Sequence, residues 1–296
     1  MTETILITGA SGNIGSEVIR QLTVSNKKPN LRVVAHSRAS DTMKDDRLER
    51  VEMDYDKLES IANALKNVDR IFLLTPTHPS MIEFTSNLAN AAKKTQGQIK
   101  HIVKLSHIRA NAQPGITITR LHREAEKVLE DSGIPFTFLR PNFFMQNFVN
   151  LQAYGQMIKS QGFFSLSAGD GRVSFVDVRD IASVAAKALE DDSHEHTDKA
   201  YDITGPEAIS YGEAAEILSS EAGKKINYVN ISDEDTRTGM KAMGLTDWNI
   251  DIVLELLRIT REGYLSDTSS AVEKVTGKKP ISFVQFAKDY VHNFLG

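Results

Sequence analysis

Within its first fifteen residues the chain runs Ile5-Leu6-Ile7-Thr8-Gly9-Ala10-Ser11-Gly12-Asn13-Ile14-Gly15, a short apolar run broken by three evenly spaced glycines. It then continues into Val18, Ile19 and Leu22, an apolar side that repeats every three to four residues. The pattern predicts a buried strand, a tight turn and a helix. Such a turn aims a helix N-terminus and its free backbone N–H groups at a phosphate. Glycine permits the turn and lets a pyrophosphate come close where a Cβ would collide. The spacing differs from the common G-x-G-x-x-G, so the strand before and the helix after carry the inference. We expect a dinucleotide held by Gly9, Ser11, Gly12, Asn13, Ile14 and Gly15.

The strand–helix alternation then repeats along the first half of the chain. Leu31–Ala35, Val51–Met53, Arg70–Leu74, Ile99–Leu105 and Phe136–Leu139 read as strands. Between them come helical faces: Leu58, Ile61, Ala62 and Leu65; then Met81–Lys93; then Leu121, Ala125, Val128 and Leu129. Asp56 and Glu59 have the spacing of a capping box, and Gly133 with Pro135 forms a stop signal. Alternation of this kind predicts an α/β fold, a Rossmann-type doubly wound parallel sheet with right-handed crossovers. Past Pro141 the character changes. Ala168-Gly169-Asp170-Gly171 turns into Val173–Val176 and a helix from about Asp180 to Leu189. Ala200–Ile203 then reads as a strand returning to the sheet. Beyond Gly205 the pattern is mainly helical, with Ser210…Glu213 and Ser282…Gln285 as further capping boxes. The expected division is 1–141 plus about 172–204 for the nucleotide-binding domain. Residues 142–171 plus 205–296 make a smaller, mostly helical lobe for substrate or partner.

The second strand speaks to the choice of nucleotide. An acid at its end commonly bonds a ribose 2′-hydroxyl, but here it ends His36-Ser37-Arg38. A serine and an arginine suit a 2′-phosphate through charge-assisted hydrogen bonds. We therefore expect NADP(H) in preference to NAD(H), with Arg38 and Ser37 as the phosphate partners. The other reading of Arg38 is a solvated loop residue. Asp54 is a candidate for the adenine amino group if Asp56 starts the next helix. Thr75 and Pro76, at the end of the fourth strand, face the expected cofactor cleft.

Composition narrows the chemistry. The net charge is −4 and no long basic run occurs, so nucleic acid is not expected as a partner. The absence of cysteine removes disulfides, thiolate nucleophiles and thiolate metal sites. No apolar run approaches bilayer length, and the first strand begins at once without a signal peptide. A cytoplasmic protein with no membrane contact is the expectation. His194-Glu195-His196 lies among Asp191, Asp192 and Asp198 and reads as a solvated loop, not a metal site.

Several segments together resemble the NmrA-like branch of the atypical short-chain dehydrogenases/reductases. They are Thr8–Gly15, Leu121-His122-Arg123-Glu124-Ala125-Glu126, Ser132–Pro135, Leu139-Arg140-Pro141-Asn142-Phe143-Phe144-Met145-Gln146-Asn147-Phe148, and Val176–Ala182. The resemblance spans nearly the whole chain. It implies an NADPH-dependent reductase of quinones, dyes or similar small acceptors, with Pro141, Asn142 and Phe143 beside the cofactor. It equally admits a dinucleotide-sensing regulator that acts on a protein partner without turnover.

Ordinary short-chain dehydrogenases use a Tyr-x-x-x-Lys pair. Matched to that pattern, this chain has Ile118 for the tyrosine and His122 for the lysine, and no tyrosine between Tyr55 and Tyr154. His122 is then a candidate to hold the ribose or supply a proton, against a plain surface pairing with Glu126 one turn on. Ser106, ending the fifth strand, is the second catalytic candidate, against a simple strand-end cap. Hydride transfer to a quinone or dye needs mainly positioning, which suits so depleted a site. Phe144, Asn147 and Phe148 are the expected contacts to the acceptor.

Overall fold

The computed structural model describes residues 2–34, 45–150 and 154–295. Ser37 and Arg38 lie outside the described residues. In chain order the first elements are β1 (Thr4–Ile7), α1 (Asn13–Thr23), β2 (Asn30–Val34), β3 (Leu48–Val51), α2 (Leu58–Ala64), β4 (Arg70–Leu73), α3 (Met81–Lys93), β5 (His101–Leu105), α4 (Thr117–Glu130) and β6 (Phe136–Pro141). A 3-10 turn (Met145–Phe148), α5 (Gly155–Gln161), β7 (Phe163–Leu166) and β8 (Arg172–Val173) come after them. Next are α6 (Val178–Leu189), β9 (Lys199–Ile203), β10 (Ile209–Ser210), α7 (Tyr211–Ala222) and β11 (Asn227–Asn230). The chain ends in α8 (Asp233–Ala242), α9 (Asp247–Arg261), α10 (Ala271–Thr276), α11 (Phe283–Asp289) and α12 (Val291–Phe294).

Two compact units emerge: Met1–Pro141 with Val178–Asp202 and Lys274–Gly277, and Asn142–Asp177 with Ile203–Glu273 and Lys278–Gly296. Among the described residues, the first unit holds one seven-stranded sheet in the order β3-β2-β1-β4-β5-β6-β9. The order reverses beside β1, where the chain crosses from one half of the sheet to the other. Ile5 stands opposite both Leu31 and Arg70, and Leu105 opposite Leu139, all in parallel ladders. On one face Leu6, Ile71, Leu73, Ile102 and Phe138 of the sheet bury against Leu88 of α3 and Leu129 of α4. On the other, α1 packs along α6, and Gln21 donates to the carbonyl of Arg179. Helices on both faces of the central strands explain why β1 and β4 read as near-continuous apolar runs.

Three local expectations change. The third strand is Leu48–Val51, earlier than the expected Val51–Met53, because it is a half-exposed edge strand whose Glu49 pairs with Arg32 on β2. Its apolar signal is confined to its ends. The Asp56–Glu59 capping box does not form. Lys57 precedes α2 without a side-chain cap, and Ser60 folds back onto the carbonyl of Asp54 instead. His196 is buried, not solvated, with Nδ1 2.9 Å from the Tyr201 hydroxyl.

In the second unit β7 pairs in parallel with β11, and β8 pairs antiparallel with β10. That second pairing draws residues 172–177 into this unit, where the sequence pattern assigned them to the first. Ser210 and Glu213 cap α7 reciprocally, as their spacing predicts. Ser282 caps α11, whereas the Gln285 side chain turns outward to Asp289. Phe286 and Phe294 are fully buried. Among the described residues no helix is long and apolar enough to cross a membrane.

Candidate functional site

The glycine turn has distinct work for each glycine. Gly9 has φ +66°, and the Gly12 N–H donates to its carbonyl at 3.0 Å. A Cβ on Gly15 would lie 2.2 Å from the Gly9 carbonyl oxygen, so α1 reaches the turn only with glycine there. Gly12 differs. A Cβ on it would meet nothing closer than 3.4 Å, so the protein itself does not demand the missing side chain. Gly12 is the N-cap of α1 with extended backbone (φ −85°, ψ 169°), no side-chain cap and no acid in the first turn. Ser11 and Asn13 are exposed around it, and Ile14 is buried beneath. The uncapped N–H groups and the open space above Gly12 fit a phosphate.

At the end of β4, Thr75 is buried and its Oγ1 has no hydrogen-bond partner, while Pro76 beside it is exposed. Thr8 ties the two strand ends together, donating to the Leu74 carbonyl at 3.0 Å and accepting from the Leu74 N–H at 2.7 Å. A buried hydroxyl left open at the C-terminal edge of a parallel sheet fits a bound ligand. Asp54 is less open than its position suggests. Its carboxylate accepts from the Asp56 N–H at 3.0 Å and pairs with Lys57 at 3.0 Å.

A buried polar layer lies between β5 and α4. Ile102, Lys104 and Ser106 alternate onto the same face of the sheet, the face that carries Leu129. Ser106 continues the β5–β6 ladder, its N–H donating to the Leu139 carbonyl at 2.6 Å. Its hydroxyl donates to Glu126 Oε1 at 2.6 Å. Glu126 is fully buried and also accepts from Arg140 Nε at 2.9 Å, Arg140 Nη2 at 2.7 Å and Arg123 Nη1 at 3.1 Å. Its pairing is therefore with Ser106 and the two arginines, and not with His122. His122, one turn earlier, is 8% exposed; its Nδ1 is buried with no partner, and its ring lies 5.9 Å from that of His107. Burial, then the charge of Lys104, then His107, hold the His122 imidazolium well below the usual range, so the ring is neutral.

Sequence reading missed Lys104 and took Glu126 only as a surface partner for His122. Lys104 is fully buried, and burial pushes its ammonium down to about 8 while Glu126 pulls the other way. The available signal was a lysine between Val103 and Leu105 in a strand reading as buried.

In the second unit Asn142 is 2% exposed and fully engaged. Its amide donates to Ser174 Oγ at 2.8 Å and the Leu265 carbonyl at 2.9 Å, and its Oδ1 accepts from the Phe143 N–H. It straps its own loop, committing both amide hydrogens and leaving one Oδ1 lone pair. Pro141 is buried at the end of β6, and Phe143, Phe144 and Asn147 are half-buried. Phe148 corrects an expectation. It is fully buried against Phe164, Phe175, Tyr211 and Phe283, the last edge-on at 5.1 Å, so it packs core instead of walling a pocket.

A parallel sheet with this strand order, a glycine turn opening its first helix and open polar groups at its C-terminal edge define the dinucleotide-binding proteins of Rossmann type. The chain belongs to the NmrA-like family, whose model matches residues 1–278. It is similar to an NAD(P)H azoreductase of Xenophilus azovorans, 36% identical over 98% of this chain and 99% of that one. It is also similar to the structure of an NADPH-dependent quinone oxidoreductase of Escherichia coli complexed with NADPH. That likeness has a TM-score of 0.83 and 25% identity over 96% of this chain and 99% of that chain. The fold is shared with a Citrobacter triphenylmethane reductase complexed with NADP(H), at TM-score 0.82 and 24% identity over 97% and 99%.

Proposed function

We propose that this chain is an NADPH-dependent oxidoreductase that reduces a quinone-like or small aromatic acceptor. The observation that carries the reading is the start of α1: uncapped, free of acid, and fronted by a Gly12 whose missing Cβ serves no internal contact. The activities of the azoreductase and quinone oxidoreductase relatives support the acceptor class.

When bound, the reduced nicotinamide supplies the hydride. The residues of this chain supply place and protons. Gly9, Ser11, Gly12, Asn13, Ile14 and Gly15 take the pyrophosphate, with Thr75 at the strand edge. Arg38 and Ser37 take the 2′-phosphate. The Ser106 hydroxyl proton is committed to Glu126, so its oxygen offers only lone pairs to a ligand. Neutral His122 donates through one nitrogen and accepts through the other, which lets it orient an acceptor and relay a solvent proton. An electrophilic acceptor needs no stronger acid than that. Phe144 and Asn147 are the proposed acceptor contacts beyond β6.

Calorimetric titration with NADPH, NADP+, NADH and NAD+, for wild type and Arg38→Ala, tests the reading. Tight binding of both phosphorylated forms, lost in Arg38→Ala, followed by NADPH-dependent reduction of a simple quinone, is the expected result. Equal losses for phosphorylated and non-phosphorylated forms would remove Arg38 from the site. Binding of one redox state alone, with no turnover of any quinone or azo dye, would replace the reductase with a sensor.

A further inference from the structure

Three rings are stacked where the chain leaves β3 and β4. Tyr55, just past β3, lies face to face with Phe84 of α3, at 5.2 Å between centroids and 21° between planes. Phe84 lies in turn against His78, in the loop from β4 to α3, at 5.4 Å and 18°. Tyr55 and Phe84 belong to the buried core of the first unit, whereas His78 at the outer end of the stack is exposed. The base of the stack is fixed. Tyr55 donates its hydroxyl to the Leu74 carbonyl at 3.2 Å, and the Asn87 amide donates to the Tyr55 carbonyl at 3.0 Å. The outer ring is pinned as well. The Ser80 N–H donates to His78 Nδ1 at 3.1 Å, which leaves Nε2 to carry the ring proton. One face of this imidazole covers Phe84, and among the described residues no second ring lies against it.

We propose that His78 is an adenine-stacking residue: its outer face receives the base of the dinucleotide and so sets the affinity for NADPH. This rests on the reading of the chain as a dinucleotide-binding protein. The surroundings of the stack single out the base as the occupant. Thr75, in the same loop as His78, has a buried hydroxyl without a partner, which fits a ligand at this strand end. The strand order reverses beside β1, and in such a sheet the pyrophosphate lies at the start of α1 while the adenosine end lies towards β2 and β3. Tyr55 leaves β3 and His78 leaves β4, so the stack joins the two loops that flank that end. Adenine is a flat π-system, and every base has a face that stacks on an aromatic side chain. An imidazole held flat by Phe84 beneath and by Ser80 at its edge has no rotamer freedom left to lose when a base lands on it.

The test is calorimetric titration of the full chain with NADPH and with 2′,5′-ADP, which carries the adenosine half alone. Wild type is compared with His78→Ala and His78→Phe. Phenylalanine keeps a ring to stack on and gives up the bond from Ser80. His78→Ala should weaken both ligands about tenfold, and His78→Phe should bind both within about twofold of wild type. Titration at a temperature where thermal melting shows every variant folded keeps binding apart from stability. A His78→Ala variant that binds 2′,5′-ADP as wild type does overturns the proposal. So does a His78→Phe variant as weak as the alanine, because a hydrogen bond and not stacking would then hold the ligand. Wild type that binds neither ligand removes the dinucleotide reading itself and this inference with it. Tight binding by wild type that is indifferent to residue 78 removes His78 alone.

Discussion

Ser106 donates its hydroxyl proton to Glu126 across 2.6 Å, joining the end of β5 to the middle of α4. The direction of that bond leaves the Ser106 oxygen able only to accept any further hydrogen bond. It also makes Glu126 the hub that ties β5, α4 and β6 together through Arg140.

Glu126→Ala should therefore cost about 3–5 kcal/mol, since it leaves the Arg140 guanidinium partly buried with its countercharge gone. Ser106→Ala should cost less, about 1.5–3 kcal/mol, because the carboxylate keeps its arginines. Urea denaturation of the two variants checks the ranking. Equal losses would mean that the arginines gain little from Glu126.

Lys104 predicts a dependence of stability on alkaline pH. Its folded value, about 8, lies below the ordinary 10.5. Between those values the unfolded chain binds more protons, so stability rises with pH across that window and the penalty is fully present below it. A shift of this size corresponds to roughly 3 kcal/mol. Lys104→Met should abolish the rise and stabilise the protein at neutral pH by up to that amount. Urea midpoints at about pH 7 and about pH 10 give the comparison.

Two glycines three residues apart should fail in different ways. Gly15→Ala drives a Cβ to 2.2 Å from the Gly9 carbonyl and should destabilise the fold by roughly 1–3 kcal/mol. Gly12→Ala meets nothing closer than 3.4 Å and should cost less than about 1 kcal/mol. Gly12→Ala should nevertheless weaken NADPH binding by at least about tenfold, a loss of about 1.4 kcal/mol. Calorimetric titration and thermal melting on the same two variants separate these effects. A Gly12→Ala variant that binds NADPH normally would remove the phosphate from this turn.

Phe148→Ala should behave as a core deletion, with a loss of about 3–5 kcal/mol. Its KM for a quinone should stay near that of wild type if the variant is assayed at low temperature, where enough of it stays folded. Phe144→Ala should do the opposite, raising KM with little change in the urea midpoint.

The fold was legible where the physics is local. Strand, glycine turn and helix announce themselves in Ile5–Leu22, and Ser210 with Glu213 can be read as a cap because both partners lie within one turn. Legibility failed where a partner is distant. Nothing near Phe163–Leu166 says that it pairs with Asn227–Asn230. Phe148 carries no local mark to tell a pocket wall from a core ring, since its neighbours come from β7, α7 and α11. Glu126 looked like a helix-surface acid for His122, and only the placement of Ser106 and Arg140 on adjacent strands makes it their hub. Asp56 fitted a capping pattern that Ser60 pre-empted by bonding back to Asp54.

The seven-stranded sheet is not encoded in one stretch of the gene. Its last strand, β9, and the helix that packs on α1, α6, arrive only after the chain has made an excursion through 142–177. A single crossover at residue 141 between this gene and that of a relative would give a sheet with β9 from one parent and its neighbour β6 from the other. The interface of α1 with α6, including Gln21 and the Arg179 carbonyl, would be mixed in the same way. Substitutions confined to 142–177 leave both the sheet and the α1–α6 interface from one parent, which swapping one end of the chain for another does not.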